Sequence, residues 1–285
     1  MAIAQDYIKD VDKLVPRPDI ALKVLQMAHE AHSSIPQLSL QIEKDPSLTA
    51  NMLRLANSAY FGHMRKINSV KDIIVRLGLE TVKLLAISSA SVGILNSPQE
   101  AYGLEPGELW NHSYATAVLA GVIGRHARIQ EGAALYTAAL LHDVGKIVLN
   151  RHLLQAALSN HEPAAAPETL QRERALLHTD HARVGQALLQ KWELAEQITL
   201  PVGLHHDAAE TATASLTCRI VYLANWLENT LKLHATPPAE FKLDEQVLAD
   251  NLGLLSTVPR LAENLPVIID EFFKQYEESL DLLIL

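Results

Sequence analysis

The sequence predicts an all-α protein, with an N-terminal helical bundle over residues 1–100 and a larger helical domain over 101–285. Two observations carry that prediction. Apolar residues make up 48% of the chain and aromatics only 5%, and Ala and Leu dominate segment after segment, which favours helix over sheet. The apolar positions also recur at spacings of three and four rather than in alternation. A chain of 285 residues is long enough for one large or two modest domains with a sizeable core.

The elements follow in order. "VPRPDIALKVLQMAHEA" opens on Pro18 and Asp19, good first-turn residues, and then places Ile20, Val24, Met27 and Ala31 on one helical face. A second helix starts near Pro36. A third starts at Asp45 and Pro46 and runs through Leu48, Met52, Leu55 and Ala59 to Gly62. Ser69, with Asp72 three positions on, is an N-cap for a helix that breaks at Gly78 and continues almost wholly apolar to residue 95. The Pro-, Gly- and Asn-rich stretch 96–107 reads as the junction. Beyond it, "ELWNHSYATAVLAGVIGRHA", "LYTAALLHDVGKIVL", "LQRERALLHTDHARVGQALLQKW", "LAEQITLPVGLHHD" and "SLTCRIVYLANWLENTLKL" read as helices. "RHLLQAALSNHEPAAAPE" reads as a looser connection, and a final helix from about Val258 to Leu282 caps the C-terminal domain. No internal repeat is visible.

The formal charge of −9 is concentrated beyond residue 100, and no basic face is present, so nucleic acid and anionic membranes are not expected partners. Cys218 is the single cysteine, which excludes an internal disulfide and fits a reducing compartment. The polar N-terminus has no signal-peptide core, and no unbroken apolar run approaches the ~20 residues a bilayer requires. A cytoplasmic location is expected.

Function is concentrated in the histidines. The chain has 13, and His29, His32, His63, His126, His152, His161 and His234 lie in polar or boundary contexts that read as solvated surface. The others differ. His112 begins one helix, and His142 and Asp143 interrupt an apolar stretch, "LLHDVGKIVL". His178 and His181 are three apart, and His205 and His206 are adjacent. Polar groups in an apolar helix must serve one another or a bound species. Imidazole with carboxylate suits Zn, Fe, Mn and related divalent ions. Neighbours on a helix lie about 100° apart, so His142 and Asp143 reach one ion only over the edge between them, and Gly145 leaves room for a close approach. Lys146 reads either as a phosphate contact or as a salt-bridge partner of Asp143.

His112, "LLHDVGK" and the downstream histidines resemble the HD superfamily of metal-dependent phosphohydrolases. The upstream half narrows the resemblance. "LVPRPDIALKVLQMA", "IEKDPSLTANMLRLANSAYFG", "INSVKDIIVRLGLETVKLLAIS", "LWNHS" and "DHARVGQALLQKWEL" occur in the order of the HDOD family, from about Leu14 to Asn229. The resemblance implies an HD-like fold akin to the cyclic di-GMP phosphodiesterases of the HD-GYP group, and a role in bacterial signalling and regulation. It implies metal ligation by His112, His142, Asp143, His181, His205 and His206, by one or two ions of Fe, Zn, Mn or Mg. His181, within "DHARVG", fits the family pattern, and His178 does not. Two departures count against catalysis. Asn225 stands where the superfamily places its last Asp ligand, bringing no negative charge, and no GYP-type loop follows "LHHD".

Three readings result. The favoured one is a stand-alone regulatory module acting on signalling proteins, with its pocket holding a structural metal, sensing a ligand such as a nucleotide, or empty. The second is hydrolysis of a phosphoester, with the metal ligands activating water and Lys146 offsetting phosphate charge. The third, nucleic-acid binding, is disfavoured by the acidity of the second half; for the histidine cluster itself the alternative to a metal is a buried polar network inherited from an enzyme ancestor and now structural.

Overall fold

Side-chain caps decide where the N-terminal helices begin. In the computed structural model, Asp45 accepts a hydrogen bond from Leu48 N at 3.0 Å and Ser69 accepts one from Asp72 N at 3.1 Å, so both caps sit where the sequence places them. The structure describes residues 2–9, 11, 23, 24, 27, 35–57, 67–160, 170–235, 246 and 252–283. The expected helix over 18–31 and the segment from Ala59 to Gly62 lie mostly or wholly outside the described residues.

The helices are α1 (Ala2–Tyr7), α2 (Ile35–Glu43), α3 (Pro46–Ala56), α4 (Val70–Leu95), α5 (Glu108–His126), α6 (Gly132–Leu141), α7 (Val144–Asn160), α8 (Leu170–Leu177), α9 (His181–Lys191), α10 (Glu196–Leu204), α11 (Ala208–Thr213), α12 (Leu216–Leu231), α13 (Leu252–Leu255) and α14 (Leu261–Leu283). No strand occurs among the described residues. The junction forms a short 3-10 turn, Glu100–Tyr102, closed by an isolated bridge between Gln99 and Leu104. Gly78 breaks α4 as expected, with φ of +79°, a conformation costly for any residue with a Cβ.

Helix α5 is the central strut, packed against α6, α12 and α14, while α4 crosses from the N-terminal helices onto α6. One core therefore runs from Leu38 and Ile42 through Ile87 and Leu119 to Phe272. The last helix buries Leu265, Ile268, Ile269, Phe272 and Tyr276, a stripe at helical spacing laid on α5.

Two expectations are corrected. The "looser connection" is helix as far as Asn160, because Leu149, Leu153 and Ala157 continue the buried stripe of α7. The stretch "LYTAALLHDVGKIVL" is two helices, broken at His142 and Asp143. The run Gly132–Ser159, 28 residues, is by length and composition apolar enough to cross a bilayer, but 78% of its most apolar window is buried inside the protein. Packing against α4, α5, α9 and α10 uses that apolar surface.

Candidate metal centre

The break between α6 and α7 sets the site. His142 keeps a helical conformation, but Lys146 N bonds Asp143 O at 2.9 Å, a tightened turn that starts α7. Gly145 allows a contact different from the expected one. A Cβ there would lie 2.0 Å from His181 O and 2.7 Å from Gly185 N, so this glycine admits the backbone of α9 rather than an ion. That contact brings His181, the first residue of α9, beside Asp143.

The other candidates also sit at or near helix ends. His112 lies in the early part of α5, His205 and His206 directly follow α10, and Asn225 comes from α12. All converge on Asp143, whose side chain is 1% exposed. On one side, Oδ1 lies 3.2 Å from His181 Nε2 and 3.6 Å from His205 Nε2, with His206 Nε2 3.0 Å from His181 Nε2. On the other, Oδ2 lies 3.4 Å from His142 Nε2 and 3.6 Å from His112 Nε2. His112 Nε2 is in turn 3.1 Å from Asn225 Oδ1. Lys146 Nζ donates to Oδ2 at 2.7 Å and stands 5.8 Å from the centroid of the Tyr102 ring. His178 is exposed on the far side of the α8–α9 turn, with φ of +56°.

The second nitrogen of four of these rings is already spoken for. His142 Nδ1 faces Ala139 O at 2.7 Å and His205 Nδ1 faces Val202 O at 2.6 Å. A carbonyl oxygen only accepts, so both rings carry their proton on Nδ1. His181 Nδ1 is held by both oxygens of Glu173, at 2.8 and 2.9 Å, and His112 Nδ1 by Glu228. Fixing the outer nitrogen in this way turns Nε2 lone pairs inward, as in metal-ligating histidines.

Electrostatics agrees with geometry. Burial lowers His142, and burial with the charges of His142 and His181 holds His205 down to about 4. Burial and His205 push His206 well down. These three rings are neutral at neutral pH and present lone pairs. Burial alone would raise Asp143, but His142 and Lys146 hold it well below the usual carboxylate range. Burial would lower His181, but Glu173 and Asp143 on either side bring it up to about 9.

The residues fit a divalent metal. Asp143 Oδ1 is buried and receives no hydrogen bond of acceptable geometry, although two imidazoles stand beside it. The lone pair of neutral His205 faces that oxygen, and the charge that offsets the repulsion is the His181 proton or a metal ion in its place. Bonds of about 2.0–2.2 Å from nitrogen and oxygen to an ion put neighbouring ligands roughly 3–3.5 Å apart, which is the spacing seen here. Asp143, His181, His205 and His206 form one such group, and His112, His142 and Asp143 another. A cavity of about 520 Å³ opens onto His112, Asp143, His181 and His206, walled by Tyr102, Leu104, Leu109 and Leu170.

Sequence reasoning missed Glu173, Glu228, Tyr102 and His234. Glu173 lies in the polar "LQRERALL" and nothing local marks it as 1% exposed. Tyr102 OH donates to it at 2.7 Å. Glu228 has a weak signal, since it sits three residues after Asn225 on the same helical face. His234, grouped with solvated histidines, is instead part-buried and bonded to Glu228. His126, 3.3 Å from Glu271, and His152, edge-on to Tyr7, are part-buried too. His29, His32, His63 and His161 lie outside the described residues.

Comparison with known proteins agrees with the all-helical fold. The HDOD domain family model matches residues 14–208. An HDOD domain protein of unknown function from Geobacter sulfurreducens superposes with a TM-score of 0.72 at 23% identity, covering 100% of this chain and 98% of that one. A chain from Shewanella amazonensis, named as a candidate metal-dependent phosphohydrolase, gives 0.70 at 19% identity, covering 99% of each. One from Marinobacter aquaeolei, named as a candidate signal transduction protein, gives 0.59 at 21% identity, covering 98% of this chain and 64% of that one. An uncharacterized protein of Treponema pallidum (strain Nichols) is 27% identical over 207 residues, 69% of this chain but only 39% of that protein's length.

Proposed function

The chain belongs to the HDOD family, and on that premise we propose that it is a cytoplasmic regulatory module that holds a divalent metal around Asp143 and acts through signalling-protein partners. The observation that carries this reading is the buried Asp143 carboxylate set among imidazoles on both oxygens, with Oδ1 between His181 and His205 and Oδ2 between His142 and His112. His181, His205 and His206 with Oδ1 would hold one ion. His112 and His142 with Oδ2, and Asn225 through its amide oxygen, would hold a second. Fe, Zn and Mn suit these imidazole-rich sets, and Mg suits them less because it prefers oxygen donors. A bound ion supplies Lewis acidity toward a phosphoryl oxygen and acidifies water.

The chain's own residues favour regulation over turnover. Asn225 adds no negative charge to the Oδ2 side, and Lys146 already neutralises that oxygen. Hydrolysis of a phosphoester, on a nucleotide or cyclic dinucleotide, is the second reading. It is favoured by the cavity, which leaves a substrate direct access to four of the ligands.

Elemental analysis of untagged protein, beside a His142→Ala/Asp143→Ala variant, tests the reading. Near-stoichiometric metal in the native protein and its loss in the variant is the expected result. Assay of both on cyclic di-GMP and a generic phosphodiester separates the two functions. Turnover that disappears with the metal establishes an enzyme, and metal without turnover supports a regulatory site.

A further inference from the structure

Glu228 serves two imidazoles. Its side chain is 1% exposed, and one oxygen engages His112 Nδ1 while the other engages His234 Nδ1. The first contact orients a residue of the metal centre; the second sets His234 beside Glu228 and His112, three side chains whose ligand atoms lie within 4.8 Å of one another. Lys232, with φ of +48°, ends α12 in a left-handed turn, and two residues later His234 reaches the cavity wall. The imidazole stands edge-on to His112 with ring centroids 6.1 Å apart. Its side chain is 29% exposed. With Nδ1 turned to the buried carboxylate, the exposed edge carries Nε2, which no described residue hydrogen-bonds.

A ring locked from behind and open in front loses little freedom when it meets a ligand. The surroundings indicate the ligand's class. Lys146 borders the same cavity, Asn229 and Gln171 contribute neutral amides, and the carboxylates of Glu108, Asp143 and Glu173 line it too. A single phosphoryl group matches this mixture better than a large polyanion, given those carboxylates. Resting on the metal-centre reading above, we propose that His234, positioned by Glu228, contacts a phosphoryl oxyanion of a small ligand in this cavity. Glu228 then links the ligand contact to the metal centre, since one carboxylate orients both rings.

Calorimetric titration with inorganic phosphate and with adenosine monophosphate tests this on the full chain, using native protein, His234→Ala, His234→Gln and His178→Ala. Each is measured as purified and after chelation, with metal content and thermal unfolding recorded alongside. His234→Ala is expected to bind phosphate about tenfold more weakly with metal content unchanged, His234→Gln to recover part of the loss, and His178→Ala to match the native protein. Tighter binding of the nucleotide than of free phosphate assigns the contact to an ester. Equal binding by His234→Ala and native protein, or no phosphate binding by native protein in either state, overturns the proposal. Native protein without metal sinks the metal-centre reading instead, and the comparison of His234→Ala with native protein after chelation still decides the role of His234.

Discussion

The two oxygens of Asp143 face different worlds. Around Oδ1 stand His181, His205 and His206, and of these three rings it is His181, raised to about 9, that carries a charge beside the oxygen. Around Oδ2 stand His112 and His142, but Lys146 donates to that oxygen at 2.7 Å and the neutral Asn225 approaches His112. The Oδ1 side is a vacant charge balance that a proton on His181 or a divalent ion must complete. The Oδ2 side is partly balanced by the chain itself. On the metal reading proposed above, one carboxylate would hold a stronger and a weaker position, with the strength set by what else each oxygen touches.

The largest effect should come from removing the shared oxygen pair. Asp143→Ala deletes a ligand from both sides, and elemental analysis should find metal reduced to background. Retention of a full complement would break the comparison outright.

Metal-free protein should show the His181 proton directly. Its folded value of about 9 lies above the ordinary ~6.5. The raised group therefore contributes stability that is fully present below pH 6.5 and is lost as pH rises through 9. About 3 kcal/mol is at stake, and urea unfolding of chelated protein at pH 6 and pH 9.5 measures it. An ion must expel the same proton, so metal affinity should rise with pH across that window. A flat profile would mean that His181 does not carry the charge of the Oδ1 side.

Substitution on the Oδ2 side should sharpen the contrast. Asn225→Asp adds the missing carboxylate and should tighten the second metal position by about 10- to 100-fold in competition titrations with a chelator. Lys146→Met frees Oδ2 and should tighten the same position by roughly tenfold, with the Oδ1 side unchanged. Equal gains at both positions would show that the two sides are not electrostatically distinct.

The smallest change is Tyr102→Phe. It removes one of the hydrogen bonds that hold Glu173 behind His181, worth about 1 kcal/mol. A several-fold loss of affinity confined to the Oδ1 position is expected. A loss at the Oδ2 position instead would argue that the junction turn acts on α7 through the Lys146 contact with Tyr102.

Much of the fold was legible because its signals are local. Asp45 and Ser69 cap helices by bonding a backbone N–H three residues on, and Gly78 breaks α4 because its own backbone tolerates a positive φ. The stripe on α14 is written in its period. His142 and Asp143 were visible as residue types out of place in an apolar stretch, the set of His112, His142, Asp143, His181, His205 and His206 was implied by the family resemblance, and the structure brings the five histidines around the Asp143 carboxylate.

Other features are decided by packing between distant segments. Glu173 and Glu228 look like ordinary surface acids, and become buried anchors only because α8 and α12 are folded against the rings they hold. His234 reads as solvated, yet meets Glu228 across a left-handed turn. Gly145 suggested space for an ion, but the space belongs to the backbone of α9. The sequence by itself determined the helices and their caps, because those follow from period and residue chemistry, whereas the set of candidate metal ligands was implied by the family resemblance. Only the tertiary structure decided which nitrogen of each imidazole faces inward, which oxygen of Asp143 is left without a hydrogen bond and which acids stand behind the site. Those properties depend on neighbours up to 116 positions away, and residue spacing carries no record of them.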